Sequence, residues 1–318
     1  MAEIVFGFAA SHGPTMNTPP DKWLELGQKD VQDVRYDYAS LRPKGGIEKE
    51  LDPELMAERY AAVHRAIDNL RDRMFAAKPD VIVVFSNPHG GVAQDRQQPT
   101  FAVHLNDAPP FTENPRYRDR PGREPEQSPP RVKDAVQYPT DGDLARHMME
   151  GLIEEGIDVA ANFQSRPGAG LDEAYNLLYH HFDKDNTIPY VPVLVSRYLP
   201  NQATPKRCYE LGQAVRRVID RWDSPKRVAV MGSGGLSHQI VDEELDRTVI
   251  EALVEGDTDV LCSLDRQRLN RAPGTPEILN WVACAGVMEP KTMNLIDYVP
   301  CYRSLQGTGH GNTFGYWE

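Results

Sequence analysis

Four short runs rich in β-branched residues, Ile4 to Ala10, Val81 to Ser86, Val191 to Val195 and Val228 to Met231, are separated by stretches with helical periodicity. That alternation restricts the chain to a sheet covered by helices and argues against a sandwich. Between the first two runs, Met56, Tyr60, Val63, Ile67, Leu70 and Met74 recur at helical spacing behind Asp52-Pro53, a cap followed by a first-turn proline. Cys208, Leu211, Val215, Val218, Ile219 and Trp222 repeat the pattern. With 318 residues and 40% hydrophobic content, the chain has enough material for one large α/β domain or two ordinary ones.

The formal net charge of −12 repels nucleic acid and anionic membranes, so neither is expected as a partner and a small molecule is. No apolar run approaches the ~20 residues needed to cross a bilayer. The amino terminus has no basic segment followed by an apolar stretch, and the expected location is cytoplasmic. The four cysteines, Cys208, Cys262, Cys284 and Cys301, form no C-x-x-C pair, which disfavours a zinc knuckle and a disulfide framework. Between Pro109 and Pro130 the chain is dense in Pro, Arg and Glu without apolar periodicity. Such a stretch reads as a lid or surface loop at 109–130.

Three of the nine histidines lie just beyond the carboxyl end of an expected strand: His12, His89 and His238. In open α/β sheets ligands bind at that edge, so these side chains can converge although they are far apart in sequence. His64, His104, His147 and His310 read as surface or satisfied core, and Asp242-Glu243-Glu244 as a solvated helix start. Gly232-Ser233-Gly234-Gly235 is a poor dinucleotide fingerprint, because the third glycine position falls at Ser237. Two histidines and one carboxylate would make the facial triad of non-haem iron(II) oxygenases, but composition cannot choose that carboxylate among 47 acidic residues.

In their order, several motifs resemble those of the class III extradiol ring-cleavage dioxygenases, of the protocatechuate 4,5-dioxygenase catalytic-subunit and gallate dioxygenase type. They are Gly7 to Pro14, Pro79 to Val84 leading to His89, Tyr198 to Gln202, Arg207 to Ala214, Gly232 to His238, and Glu277 four residues before Trp281. The resemblance implies one α/β domain over residues 1–318, with a central mixed sheet flanked by helices and the active site at the strand carboxyl ends. It also implies Fe(2+) held by His12, His89 and Glu277, with His238 as acid/base, acting on a small aromatic substrate and O2. A homo-oligomer is expected, or alternatively a partner such as the small accessory subunit found with some relatives. The alternative is a metal-dependent hydrolase or other non-oxygenase enzyme on the same fold.

Two departures stand out. Asn87-Pro88-His89 replaces the family's acidic or amide residue before the second ligand, and Asp172-Glu173-Ala174 stands where relatives carry Asp-His-Gly. Glu173 or Tyr175 is expected to fill that place and contact the substrate, unless His180 or His181 folds back into it. A carboxylate there would favour a donor substituent such as a hydroxyl, an amino group or a ring N–H.

Overall fold

The four β-branched runs become strands where the sequence puts them, each gaining at most a few residues at its ends. The computed structural model describes all residues except 33–37, 39–44, 88–98, 106–111, 114–138, 163–169 and 172. In chain order its strands are β1 (Glu3–Ala10), β2 (Val81–Ser86), β3 (Phe101–His104), β4 (Thr112–Glu113), β5 (Ala160–Asn162) and β6 (Gly170–Leu171). These are followed by β7 (Tyr190–Val195), β8 (Arg227–Ser233), β9 (His238–Ile240), β10 (Asn294–Tyr302) and β11 (Thr308–Trp317).

One nine-stranded sheet runs β10-β11-β1-β8-β2-β7-β3-β5, with β9 pairing to β11 and a separate β4-β6 pair. Its centre, β1-β8-β2-β7, is parallel, while β3, β10 and β9 join antiparallel to β7, β11 and β11 respectively, and β11 runs antiparallel to β1. The expected mixed sheet in a single α/β domain is therefore the observed one. Apart from Thr112–Glu113 in β4, the proposed lid at 109–130 lies outside the described residues.

A parallel centre must be covered on both faces, and alternate side chains divide between two cores. Val81, Val83 and Phe85 pack on one side with the helices 142–154, 205–220 and 278–288, and Ile82 and Val84 on the other with the helix 53–76. That last helix starts as expected: the Asp52 carboxylate accepts from Glu54 N and Leu55 N at 3.0 and 3.1 Å, and Pro53 opens the first turn. The Asp242 side chain likewise caps the helix Glu243–Glu255. No described helix is long and apolar enough to cross a membrane.

Strand β11 departs from the sequence reading. The glycine-rich stretch Gly307 to Gly315 lies outside the four β-branched runs, yet most of it belongs to a ten-residue strand buried along its whole length. Glycine has low strand propensity, but in a strand it marks a close approach. A Cβ on Gly311 would collide with the Asp246 carboxylate.

Candidate metal centre

The parallel strands β1, β8, β2 and β7 end on one edge, and four chain segments leave that edge together. They carry His12, Ser233 to Gly235, Asn87 and Arg197. Glu277 arrives from elsewhere, in the turn Thr275–Glu277 that opens the fully buried helix Ile278–Met288. A helix start favours an anion, and this carboxylate is 0% exposed.

Its two oxygens face different groups. Oε2 stands 3.3 Å from His12 Nε2 and 3.4 Å from His238 Nε2, and accepts from Gly235 N at 3.3 Å. Oε1 accepts from Arg197 Nη1 at 2.6 Å. A side chain at Gly234 is excluded, because φ is +96° and a Cβ would collide with Glu277 Oε2 and lie 2.9 Å from His12 Cε1.

Hydrogen bonds on the far side of each imidazole set its tautomer. Ser233 Oγ donates to Ala174 O at 3.2 Å, so it accepts from His12 Nδ1 at 3.1 Å, leaving the His12 Nε2 lone pair toward Glu277. His238 Nδ1 donates to Leu236 O at 3.0 Å, which leaves its Nε2 in the same state. Asn280 Nδ2 donates to Ser233 O and to Asn87 Oδ1, Asn87 Nδ2 to Val195 O, and Trp281 Nε1 to Gly234 O. These bonds fix the strand-end loops to the helix that carries Glu277.

The histidine pattern identified two of these side chains, and the structure brings His12 and His238 together with Glu277. His89 lies outside the described residues, two positions beyond the anchored Asn87. Among the described residues no group of three or more His, Cys, Asp or Glu side chains forms a metal-binding cluster. Two donors about 2.1 Å from an octahedral ion stand about 3 Å apart. The 3.3 Å His12–Glu277 spacing is close to that, so these two donors fit a cation, with His238 beside them.

His310, assigned above to surface or satisfied core, is buried on β11 opposite His238 on β9. The two rings stack with centroids 4.3 Å apart and planes 10° from parallel, and His310 Nε2 donates to Gly235 O at 3.0 Å. Burial first, and then the neighbouring His238, hold His310 well below the ordinary histidine range. It is both a satisfied core residue and a wall of the site. The sequence reading also missed Arg197, although it follows β7 as His12 follows β1, and Ser233, whose role is to orient a ligand. The other histidines stay away: His64 bonds Met16 O, His147 bonds Val218 O, and burial pushes His104 down to about 4. His181 Nε2 bonds the Asn17 side chain.

Of the residues proposed for the missing Asp-His-Gly, Glu173 opens the helix Glu173–Leu177, and its side chain lies outside the described residues. Tyr175 is fully buried, its hydroxyl 2.7 Å from Ser86 Oγ at the end of β2.

Behind His238, Ser237 donates through N and Oγ to Asp246 at 2.8 and 2.6 Å, and Tyr298 OH donates to the same carboxylate at 2.8 Å. Burial pushes Asp246 up to about 7, against the opposing effect of those bonds. The folded pKa is raised, so this group's stabilisation is full below the ordinary carboxylate range and is lost as pH rises toward 7. From about pH 4 to pH 7 the unfolding free energy of the wild type should therefore fall relative to that of Asp246→Asn by at least ~1 kcal/mol. Urea titrations at the two ends of that window check this, and equal falls in the two proteins would refute it.

Known proteins resemble this chain in sequence and in fold. A protein of Cupriavidus necator named 2,3-dihydroxyphenylpropionate/2,3-dihydroxicinnamic acid 1,2-dioxygenase is 30% identical over 212 residues, covering 64% of this chain and 58% of its own length. The chain thus spans less than two thirds of that relative. A gallate dioxygenase of Pseudomonas putida is 31% identical over 103 residues, 31% of this chain and 29% of that protein. An uncharacterized protein of Escherichia coli K12 shares the fold, with a TM-score of 0.51 at 14% identity over 98% of this chain and 99% of that one. Residues 47–314, most of the chain although not His12, match the family described as the catalytic LigB subunit of aromatic ring-opening dioxygenase, and the chain belongs to that family.

Proposed function

We propose that the protein is an iron(II)-dependent extradiol dioxygenase, which opens a catechol-type or related ring, such as an aminophenol or hydroxypyridone, using both atoms of O2. The observation that carries this reading is the convergence of two imidazoles on one buried carboxylate: His12 Nε2 and His238 Nε2 stand 3.3 and 3.4 Å from the same oxygen of Glu277, so a cation held by His12 and Glu277 would lie beside His238. The family match and the names of the relatives supply the ring-opening chemistry.

In this reading His12, Glu277 and His89 would hold the ion, two neutral imidazoles and one carboxylate that would leave iron(II) a single net positive charge. When bound, the iron supplies the electron transfer between ring and oxygen that a side chain cannot. His238 acts beside it as base at Nε2, taking the proton of a substrate hydroxyl and returning it as the ring opens. The stacked His310 ring and the Leu236 carbonyl hold the His238 plane in place for that transfer. Both oxygen atoms enter the product, and the carbon–carbon bond beside the diol breaks.

Glu173 or Tyr175 contacts the substrate's substituents in this reading. Tyr175→Phe is therefore expected to change the relative rates on protocatechuate, gallate, neutral catechols and aminophenols; an unchanged ranking would put Tyr175 outside the substrate's reach. The enzyme is proposed to work in the cytoplasm as a homo-oligomer, with or without a small accessory subunit, and light scattering on the purified chain reads the former. The reading as a whole is tested by metal analysis after anaerobic purification, with oxygen uptake measured on the same substrates. One iron per chain and catechol-dependent uptake are expected; zinc with hydrolysis and no oxygen uptake would overturn it.

A further inference from the structure

Arg197 follows the carboxyl end of β7 and meets the oxygen of Glu277 that does not face His12. Its side chain is 12% exposed against 0% for Glu277. Besides the 2.6 Å bond to Glu277 Oε1, Nη1 donates to Pro273 O at 3.4 Å and Nη2 donates to Tyr198 OH at 3.0 Å. The guanidinium carbon lies 5.0 Å from the centroid of the Tyr198 ring, and Gln202 Nε2 donates to the Arg197 carbonyl at 3.0 Å. Backbone and side chain are thus both anchored.

We propose that Arg197 is a positioning residue for Glu277, holding one carboxylate oxygen so that only the other faces His12 and His238, and biasing the bound metal toward its divalent state. This rests on the reading above, in which Glu277 is a ligand. Turning Glu277 to present both oxygens to the imidazoles would break a charge-assisted bond in a buried place, where a lost partner is expensive. A metal held here would then receive one oxygen from Glu277. The guanidinium charge sits on the same carboxylate and draws electron density from it. Partners of this kind, one shell out, tune a metal through its ligand, and a fixed positive charge disfavours the ferric state relative to the ferrous.

The test uses the full chain as the wild type, Arg197→Met, Arg197→Lys and, in parallel, Glu277→Ala. Cobalt(II) binding is followed by calorimetry under nitrogen, and the ferric-to-ferrous ratio of iron-loaded protein is read at a fixed applied potential. Arg197→Met relieves the guanidinium's repulsion of the cation but frees Glu277 to turn, and the lost positioning is expected to dominate, with cobalt bound about 10–100-fold more weakly. Its ferric-to-ferrous ratio should rise at least about tenfold, a midpoint about 59 mV lower. Arg197→Lys, which keeps the charge without the planar fork, should recover most of the ratio. Should Arg197→Met fail to fold, Arg197→Gln takes the same measurements. Wild-type cobalt affinity and ratio in a folded Arg197→Met, while Glu277→Ala loses cobalt, would overturn the role of Arg197 alone. Wild-type cobalt affinity in Glu277→Ala would overturn the ligand reading beneath it.

Discussion

Glu277→Ala is expected to purify without stoichiometric iron and without ring-opening activity. The carboxylate is the only acidic group that the described residues bring against both His12 and His238, and it is fully buried there. Losing it should exceed the ~10–100-fold in metal affinity that outer partners typically cost. The alanine also leaves the Arg197 charge without its 2.6 Å partner, so instability has to be separated from metal loss. Glu277→Gln keeps the volume and removes only the charge, and circular dichroism with metal analysis on both variants makes the separation. A folded Glu277→Ala that retains one iron per chain would refute the ligand assignment.

His238→Ala should behave in the opposite way, keeping iron and losing turnover by ~10²–10⁴-fold, the usual cost of removing a positioned acid/base. The geometry makes this a real contest, since His238 Nε2 is almost as near Glu277 Oε2 as His12 Nε2 is, 3.4 against 3.3 Å. Exposure favours the division of roles proposed here. His12 is 3% exposed and locked through Ser233, whereas His238 is 13% exposed, as a group that meets substrate must be. Iron content and single-turnover kinetics on His12→Ala and His238→Ala decide it. Equal loss of iron in both variants would make His238 a ligand.

Much of this architecture is legible in the sequence because its strongest signals are local. The four parallel strands, the Asp52-capped helix and the histidines at strand ends follow from periodicity, capping chemistry and the rule that ligands sit at the carboxyl edge of a sheet. Glu277 is different: it stands at the head of an apolar helix among 47 acidic residues, and only family resemblance singles it out. The remaining features depend on contacts between distant segments. His310 becomes part of the site because β11 pairs with β9 and sets it opposite His238, while its glycine-rich surroundings hide the strand. Arg197 occupies a strand end as informative as that of His12, but a search for metal donors passes over a guanidinium. Ser233 acts through a tautomer, which depends on where Ala174 O lies and not on any motif.

The central claim is that this chain adds both atoms of dioxygen to an aromatic ring. Anaerobically prepared, iron-loaded protein is mixed with a catechol substrate under ¹⁸O₂, and the product is reduced with borohydride at once, before its carbonyl oxygen exchanges with water. The expected result is a ring-opened product carrying both labelled atoms, one in the new carboxylate and one in the alcohol left by reduction. A product with an intact ring, or one whose added oxygen is unlabelled and comes from water, would contradict the dioxygenase reading and favour a hydrolase on the same fold.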